Sequence, residues 1–360
     1  MKIAMLSNAA VLHTRRWADH LRARGHDVRV WSLEQGPPEF GARPLPSPPL
    51  PGFLRYPLAA PALGRALREF APDLVDAHYV PNYGLLGALS GFRPLSVSAW
   101  GSDLLVAGSR DPLQRARARF VLRRADLVIA DADNLARAAV ALGARPATVR
   151  AIPWGVDRAR FAPAAERQSG LLLSTRMHEP VYDIPVLLRA AAGVLARHPH
   201  AFLAVAGDGS LLARHERLAA ELLPAGRWRF LGRLAPDEMA SWLGRAEVYL
   251  SASLSDSTSL SLLEAMAAGA VPVVSDIEGN HEWVGDGDGA RLFACGDAAS
   301  AGRALEAALA DAAWREQARA RNAAVIAERG DWHRNFARIE AAFEALAAGR
   351  PLPADPGAAR

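Results

Sequence analysis

The sequence predicts an α/β protein made of two doubly wound domains that face each other across a cleft. Its 360 residues are enough for two domains of ordinary size. Short apolar runs alternate with helical patterns through the first half, and the alternation starts again after the Pro/Gly-rich stretch IPWGVDRARFAP at 152–163. Because strands that alternate with helices form parallel sheets covered on both faces, each half predicts its own parallel sheet.

The first domain is predicted to span 1–157. KIAMLS begins it as a strand, and Thr14–Arg24 follows as an amphipathic helix that ends at Gly25. The predicted strands are 2–7, 27–32, 73–79, 94–100, 126–130 and 148–153. The segment Pro37–Pro61 has nine prolines in 25 residues. Since proline removes backbone donors and disfavours helix, we expect an extended loop here, either a plain surface loop or one that contacts an acceptor or a membrane.

The second domain is predicted to span 158–330. Its predicted strands are 171–175, 201–207, 227–232, 247–251 and 271–275. Residues 331–347 contain the helical pattern WHRNFARIEAAFEAL, which we expect to form a terminal helix that returns towards the first domain. Residues 348–360 are expected to be a flexible tail.

The composition limits the partners and the compartment. Lys2 is the only lysine among 42 basic residues, and the formal net charge is only +4. Arginine in a chain rich in Ala, Gly and Pro is typical of a GC-rich genome, so we predict no nucleic-acid partner. A single cysteine, Cys295, excludes an internal disulfide framework, and no apolar run reaches the roughly 18 residues of a membrane span. The start MKIAMLSNAA is too quickly polar for a signal peptide, so we expect a cytoplasmic protein, with a peripheral place at the inner face of the membrane left open.

Several cofactor sites are absent from the sequence. The first strand runs into SNAAVLHT, so the glycine-rich turn for a dinucleotide is missing, and there is no P-loop pattern. His281 and Glu282 are not followed by the second histidine of a zinc motif. The run 286–289, DGDG, lacks the other ligands of a calcium loop and predicts a turn. We therefore predict neither a resident cofactor nor a metal.

The stretch SDSTSLSLLEAMAAGAVPVVSD at 255–276 places Asp256 and Glu264 around the start of a helix. The helix is expected to begin near Ser257 or Thr258, with no acid in its first turn. The free backbone amides at such a start attract a phosphate. The amides expected to do so are those of Ser259, Leu260 and Ser261.

The two carboxylates fit the rest of a nucleotide-sugar. Glu264 could accept hydrogen bonds from a ribose diol, and Asp256 could hold hydroxyls of a sugar. Two other interpretations stay open: Glu264 as an ordinary helix surface residue, and Asp256 as a helix-capping residue.

Read together, D-x7-E and AMAAGAVPVVSD resemble the E-x7-E signature of the large retaining glycosyltransferase family four. GHDVRVWS, IPWGVDRARFAP, VAGDGSLLARHE and FLGRLAPDEMASWLGRAEVYLSAS resemble its other motifs, so the likeness covers nearly the whole chain. The resemblance implies the GT-B fold, with two Rossmann-like domains and a C-terminal helix packing back. It also implies transfer with retention of configuration, without a metal.

The resemblance assigns roles to individual residues. Glu264 would bind the ribose, Asp256 would face the donor sugar, and Arg176 would face the diphosphate. The donor-binding set is completed by Gly207, Asp208, Gly209 and Leu231, together with the helix start at 259–261. We expect a UDP-sugar rather than a GDP- or ADP-sugar, and a sugar, a lipid-linked saccharide or a small molecule as acceptor.

Three positions depart from the family pattern. Asp256 replaces the usual Glu. The lysine that usually follows the arginine is missing near Tyr182, which leaves another cation such as Arg214 to help. Trp100 stands where the first domain often carries a histidine. The departures fit either a distinct subfamily or a catalytically silent nucleotide-binding protein, and a GT-B epimerase or phosphorylase is a further alternative. We favour the subfamily, since Arg176 and both carboxylates remain chemically apt.

The acceptor side is predicted in the first domain. Its candidate residues are His13, Arg16, His78, Trp100 and Asp103. Both histidines could equally be structural. The helix 111–124 carries five arginines, which form either a solvated face or a membrane contact.

Overall fold

The computed structural model describes residues 1–46, 48, 50, 52–106 and 111–354, without the side chains of Gly52 and Phe53. Within it the chain forms two compact units. The first unit contains Met1–Ile152 and Phe336–Arg360, and the second contains Pro153–Asn335. The predicted boundary was residue 157.

The first unit is built on a seven-stranded sheet in the order β3-β2-β1-β4-β5-β6-β7. Its main strands pair in parallel, as the alternation of strands and helices predicts. The strands are β1 Lys2–Leu6, β2 Asp27–Ser32, β3 Arg43–Pro44, β4 Leu74–His78, β5 Leu95–Ser98, β6 Leu127–Ala130 and β7 Val149–Ala151. The helices that accompany them are Leu12–Ala23, Gly52–Phe70, Leu85–Ser90, Ser102–Leu105, Pro112–Leu122 and Asp133–Ala141, with a π-helical turn at Tyr79–Gly84.

The second unit contains another seven-stranded sheet, in the order β10-β9-β8-β11-β12-β14-β13. The strands are β8 Leu171–Ser174, β9 Phe202–Ala206, β10 Trp228–Gly232, β11 Val248–Ser251, β12 Val271–Ser275, β13 Gly285–Asp286 and β14 Gly289–Phe293. The helices are Ile184–Arg197, Leu212–Leu222, Pro236–Arg245, Leu260–Ala268, Glu278–His281, Ala298–Ala310 and Ala312–Arg329. The central strands β8, β11 and β12 are buried along their whole length, so apolar side chains fill both faces of this sheet.

The prediction of an extended loop over Pro37–Pro61 was wrong for much of the segment. A helix occupies Gly52–Phe70 and contains Pro57 and Pro61. Its buried side chains recur at helical spacing, at Tyr56, Ala59, Leu63, Leu67 and Phe70. Burial of this apolar face outweighs the backbone hydrogen bonds that the two prolines cannot donate. Ser47, Pro49, Pro51 and the side chain of Phe53 lie outside the described residues.

The arginine-bearing helix runs over Pro112–Leu122, and the carboxylate of Asp111 caps it by accepting from the amides of Leu113 and Gln114. Ala118, Val121 and Leu122 face the core. Leu113 is 49% exposed.

The last helix, Trp332–Ala347, belongs to the first unit from Phe336 onwards. The ring of Phe336 lies 4.7 Å from that of Trp17, edge to face. Further on, Arg150 donates hydrogen bonds to the carbonyls of Leu352 and Pro353. Of the tail predicted to be flexible, 355–360 lie outside the described residues.

Candidate functional site

The helix after β11 begins at Leu260, two to three residues later than predicted. Ser259 is its N-cap, and its hydroxyl accepts from the amide of Leu262 at 3.3 Å. No acid occupies the first turn. The amides of Leu260 and Ser261 precede the first full turn, so they have no carbonyl within the helix to bond. The start therefore suits an anion, as expected, although the cap moves Ser259 outside the helix.

Arg176 lies in the loop after β8 and reaches this helix start. One guanidinium nitrogen donates to the hydroxyls of Ser259 and Ser261, at 2.7 and 2.6 Å. The other pairs with the carboxylate of Asp256 at 2.6 Å. Arg176 is only 7% exposed. The structure thus brings together the predicted cation, the predicted sugar-facing carboxylate and the predicted phosphate site.

The ring of Tyr182 covers the guanidinium of Arg176 from one side, with its centroid 4.2 Å from Cζ. Tyr182 stands near the place where a lysine was expected, so an aromatic face replaces a second charge there. Burial alone would lower the pKa of Arg176, but the carboxylate of Asp256, together with Tyr249 and Tyr182, outweighs burial and raises it. Arg176 is therefore a permanent cation. Among the described residues, its Nε is buried and has no hydrogen-bond partner.

The turn Gly207-Asp208-Gly209 follows β9 and packs on the backbone of the Arg176 loop. Gly207 has φ +119°, and a Cβ there would lie 2.5 Å from the carbonyl oxygen of Arg176. Gly209 has φ +148°, and a Cβ there would lie 2.7 Å from the carbonyl oxygen of His178. Both positions need glycine for conformation and for space. The predicted donor turn and the predicted diphosphate loop are therefore one packed assembly.

The remaining predicted donor residues lie around this assembly. Glu264 is half-buried in the second turn of the helix Leu260–Ala268. Leu231 is half-buried in β10 and packs against the core under that helix. The structure shows no direct contact of Arg214 with the Arg176 cluster.

The predicted acceptor residues of the first unit form a second cluster, at the carboxyl end of β4 and β5. His78 is fully buried; its Nε2 bonds the carboxylate of Asp76 at 2.8 Å, and its Nδ1 accepts from the indole of Trp100 at 3.2 Å. The ring of His13 meets that of Trp100 edge to face at 6.0 Å. Because the indole N–H can only donate, it fixes the proton of a neutral His78 on Nε2, facing Asp76.

Two of these residues have displaced pKa values. Burial, followed by the charge of Arg16, lowers the pKa of His13 to about 4, so its ring is neutral at physiological pH. Burial raises the pKa of Asp103 to about 6, against the amides of Val80 and Trp100 that bond its carboxylate.

Sequence reasoning missed several residues of both clusters. The missed residues are Asp76, His178, His215 and Tyr249, whose hydroxyl donates to Ser261 at 2.8 Å. A histidine two residues after Arg176 was a visible signal for one of them.

No group of three or more His, Cys, Asp or Glu among the described residues could hold a metal ion. In the same part of the chain, no helix is long and apolar enough to cross a membrane.

Each unit matches the model of a known protein family. Residues 10–160 match the family described as Glycosyltransferase Family 4, and residues 156–325 match Glycosyl transferases group 1. The D-inositol 3-phosphate glycosyltransferase 2 of Catenulispora acidiphila is 33% identical over 72% of this chain and 67% of its own length. The chain belongs to glycosyltransferase family 4. This membership confirms the resemblance drawn from the D-x7-E motif.

Other relatives are matched over a smaller share of their length. The phosphatidyl-myo-inositol mannosyltransferase of Mycolicibacterium smegmatis is 35% identical over 54% of this chain. The chain spans about half the length of that relative, 51%.

Solved structures confirm the α/β GT-B fold. The HepE protein of Anabaena, in complex with UDP and glucose, has a TM-score of 0.82 over 96% of this family 4 chain and 100% of its own, at 18% identity. The sucrose-phosphate synthase of Thermosynechococcus elongatus has a TM-score of 0.84 over 97% and 100%, also at 18% identity. At such identities the likeness establishes the fold alone.

Proposed function

We propose that this protein transfers a sugar from a nucleoside diphosphate-sugar to a hydroxyl acceptor, with retention of the anomeric configuration and without a metal ion. The contact of Arg176 with Ser259, Ser261 and Asp256 carries the proposal. It puts a permanent cation, a helix start and a carboxylate within one hydrogen bond of each other. Those are the groups that a diphosphate joined to a sugar would need.

The chemistry follows from where charge develops. The bond between the anomeric carbon and the diphosphate oxygen breaks, and the diphosphate leaves with increased negative charge. Arg176 and the amides of Leu260 and Ser261 are positioned to stabilise that charge. Asp256 holds the guanidinium in place and can accept hydrogen bonds from hydroxyls of the donor sugar.

The acceptor oxygen forms the new bond on the face from which the diphosphate leaves. Its proton passes to an oxygen of the departing phosphate, so no protein base is required. In this proposal Asp256 positions the sugar and does not attack it. Glu264 holds the ribose diol.

The donor is proposed to be a UDP-sugar. Support comes from HepE, whose structures contain UDP-glucose or UDP, and from family membership. The acceptor is proposed to be a sugar, a lipid-linked saccharide or a small molecule. A relative named for phosphatidyl-myo-inositol and one named for inositol 3-phosphate support a polyol acceptor.

A panel of UDP-, GDP- and ADP-sugars tests the proposal, with release of nucleotide as the measurement. Nucleotide release in the presence of an acceptor supports transfer. Tight binding without release would indicate a silent nucleotide-binding protein. Free sugar phosphate would indicate a phosphorylase, and an isomerised nucleotide-sugar would indicate an epimerase.

Glu264→Gln is expected to weaken donor binding by roughly tenfold or more, because hydrogen bonds to a charged carboxylate contribute about 1.5–3 kcal/mol each. Calorimetric titration with UDP measures the effect. Glu221→Gln, at an exposed position of the helix Leu212–Leu222, is the matched control and should bind as the wild type does. Wild-type affinity of Glu264→Gln would remove Glu264 from the site.

We further propose that the acceptor lies close to a membrane. The helix Pro112–Leu122 supports this part of the proposal. Arg115, Arg119 and Arg123 are exposed on and just after it, and Leu113 is exposed beside them. Anionic headgroups attract such charges by about 1 kcal/mol each. Replacing the three arginines by Gln should reduce co-sedimentation with phosphatidylserine-containing vesicles and leave UDP affinity unchanged. A wild type that never sediments with these vesicles at low salt would indicate a soluble acceptor.

A further inference from the structure

Two buried histidines lie beside the loop that carries Arg176. His178 follows Arg176 by two residues, and His215 lies in the helix Leu212–Leu222 that follows the glycine turn. Their Nδ1 atoms are 2.9 Å apart, within hydrogen-bond distance. The two side chains are 0% and 1% exposed. A side-chain bond thus joins the Arg176 loop to the helix behind the donor turn.

The main chain of His178 joins the same two segments. Its amide donates to the carbonyl of Asp208 at 2.8 Å, and its carbonyl accepts from the amide of Leu211 at 2.9 Å. The missing side chain of Gly209 allows this approach. His178 therefore holds the Arg176 loop on the turn 207–211 by two backbone bonds and on the helix Leu212–Leu222 by one side-chain bond.

The side-chain bond depends on the number of protons. Two Nδ1 atoms at this distance share one proton, which either ring can donate. A further proton places a charge on a ring that has no access to water. A second added proton gives both Nδ1 atoms an N–H. The two donors then face each other, and no hydrogen bond is left between the rings.

The surroundings oppose the charged form. Burial is the main cause that lowers the pKa of His178 to about 4, and His215 adds to it, whereas Asp208 acts in the opposite direction. Burial and then Arg214 lower the pKa of His215, against Asp183. The uncharged ring of Phe230 lies 5.4 Å from that of His178, and the carboxylate of Glu179, the next residue along the chain, is bonded to Ser210.

We infer that His178 and His215 are positioning residues, whose shared hydrogen bond holds Arg176 against the donor turn and is lost when both rings are protonated. The inference rests on the proposed binding of a nucleoside diphosphate by Arg176. The Arg176 loop is closed when it is packed on the turn 207–211 and open when it is not. A histidine whose pKa is lowered in the closed state stabilises that state fully above pH 6.5, the ordinary pKa of histidine. The stabilisation decreases as the pH falls from 6.5 towards about 4, because the open loop then binds more protons.

The test compares UDP affinity across this pH range in the wild type, His215→Asn and His215→Leu. An asparagine amide lies where Nδ1 was and can donate or accept, so it bonds His178 in either protonation state. Leucine cannot bond it. We expect His215→Asn to bind UDP at neutral pH within about threefold of the wild type, and His215→Leu to bind roughly tenfold more weakly.

The pH profile separates positioning from a merely structural role. The ligand is the same and the two proteins differ only at residue 215, so the difference between their profiles reports the pair. Wild-type affinity should fall more steeply below pH 6.5 than that of His215→Asn. His200→Asn, at an exposed position of the same unit, should keep the wild-type profile. Equal acid profiles in wild type and His215→Asn would overturn the inference, as would wild-type affinity in His215→Leu.

Hydrogen exchange of the peptide 174–182, normalised to intrinsic rates, tests the pair without any ligand. Acid should remove protection of this peptide in the wild type and not in His215→Asn. If the wild type binds no nucleotide at neutral pH, the proposed donor is wrong, and the exchange difference alone decides on the histidine pair. Equal exchange in both proteins would contradict it.

Discussion

Arg176→Ala is expected to lower kcat for sugar transfer by about 100- to 1,000-fold, with a smaller loss of donor affinity. The charge that this side chain meets is largest when the diphosphate departs. Its guanidinium is buried, permanently charged and fixed by three hydrogen bonds, so it needs no reorganisation at that moment. Steady-state kinetics with the donor found in the nucleotide-sugar panel separate kcat from KM.

Matched variants control that experiment. Arg217→Ala removes an exposed arginine from the helix Leu212–Leu222 and should leave both constants unchanged. Arg176→Lys keeps the charge but cannot reach Asp256 and two hydroxyls together, so it should recover only part of kcat. A raised KM with unchanged kcat would make Arg176 a uniform binding contact. Loss of wild-type activity in EDTA would contradict the proposed metal-free mechanism.

The sheets were predictable because their strands are buried on both faces. Runs such as VPVVS at 271–275 are apolar without interruption, which is typical of a central parallel strand. Three strands of the described residues were missed: β3, β13 and β14. Arg43–Pro44 and Gly285–Asp286 have only two residues each, and Gly289–Phe293 follows directly on a glycine turn. Local sequence carries little information about strands that exist only by pairing with a neighbour.

The helix Gly52–Phe70 was missed although its sequence does carry a helical pattern. Its prolines predicted a loop, because each one removes a backbone bond from a helix interior. The side chains at 56, 59, 63, 67 and 70 nevertheless recur at helical spacing and are all buried. The periodicity of the apolar side chains was the stronger signal here. Burial stabilises the helix through five side chains, whereas the two prolines remove only two backbone donors.

The candidate site was predictable as a set of residues but not as a set of contacts. Motif position placed Arg176, Asp256 and the start of the helix at Leu260 in one region. Spacing along the chain does not show that Arg176, 80 residues before Asp256, is already paired with it. Nor does it show that Tyr182 stacks on the guanidinium, since that contact depends on how the loop after β8 folds back.

The pairing of Arg176 with Asp256 has a functional consequence. A diphosphate that binds the arginine competes with a carboxylate only 2.6 Å away. Two further polar groups offer it hydrogen bonds: the amides of Leu260 and Ser261 at the helix start. Donor binding is therefore expected to redistribute these bonds rather than to create a site from separated parts.

Gly207→Ala is expected to abolish measurable UDP binding while the fold persists. At φ +119° a Cβ costs about 1–3 kcal/mol of backbone strain, and here it would also lie 2.5 Å from the carbonyl oxygen of Arg176. Backbone atoms on both sides leave no flexible side chain to yield, so the Arg176 loop must move away from the donor turn. Calorimetric titration with UDP and thermal unfolding measure the two effects separately.

Gly226→Ala is the control that separates backbone strain at the substituted glycine from displacement of the Arg176 loop. Gly226 lies in the same unit at φ +74°, and a Cβ there would meet nothing within 4 Å. Both variants carry an alanine in the left-handed region, so both should lower Tm by a few degrees. Only Gly207→Ala pushes on the backbone that positions the guanidinium, so only this variant should lose UDP binding. Equal affinities in the two variants would show that the exact place of the Arg176 loop does not control the donor site.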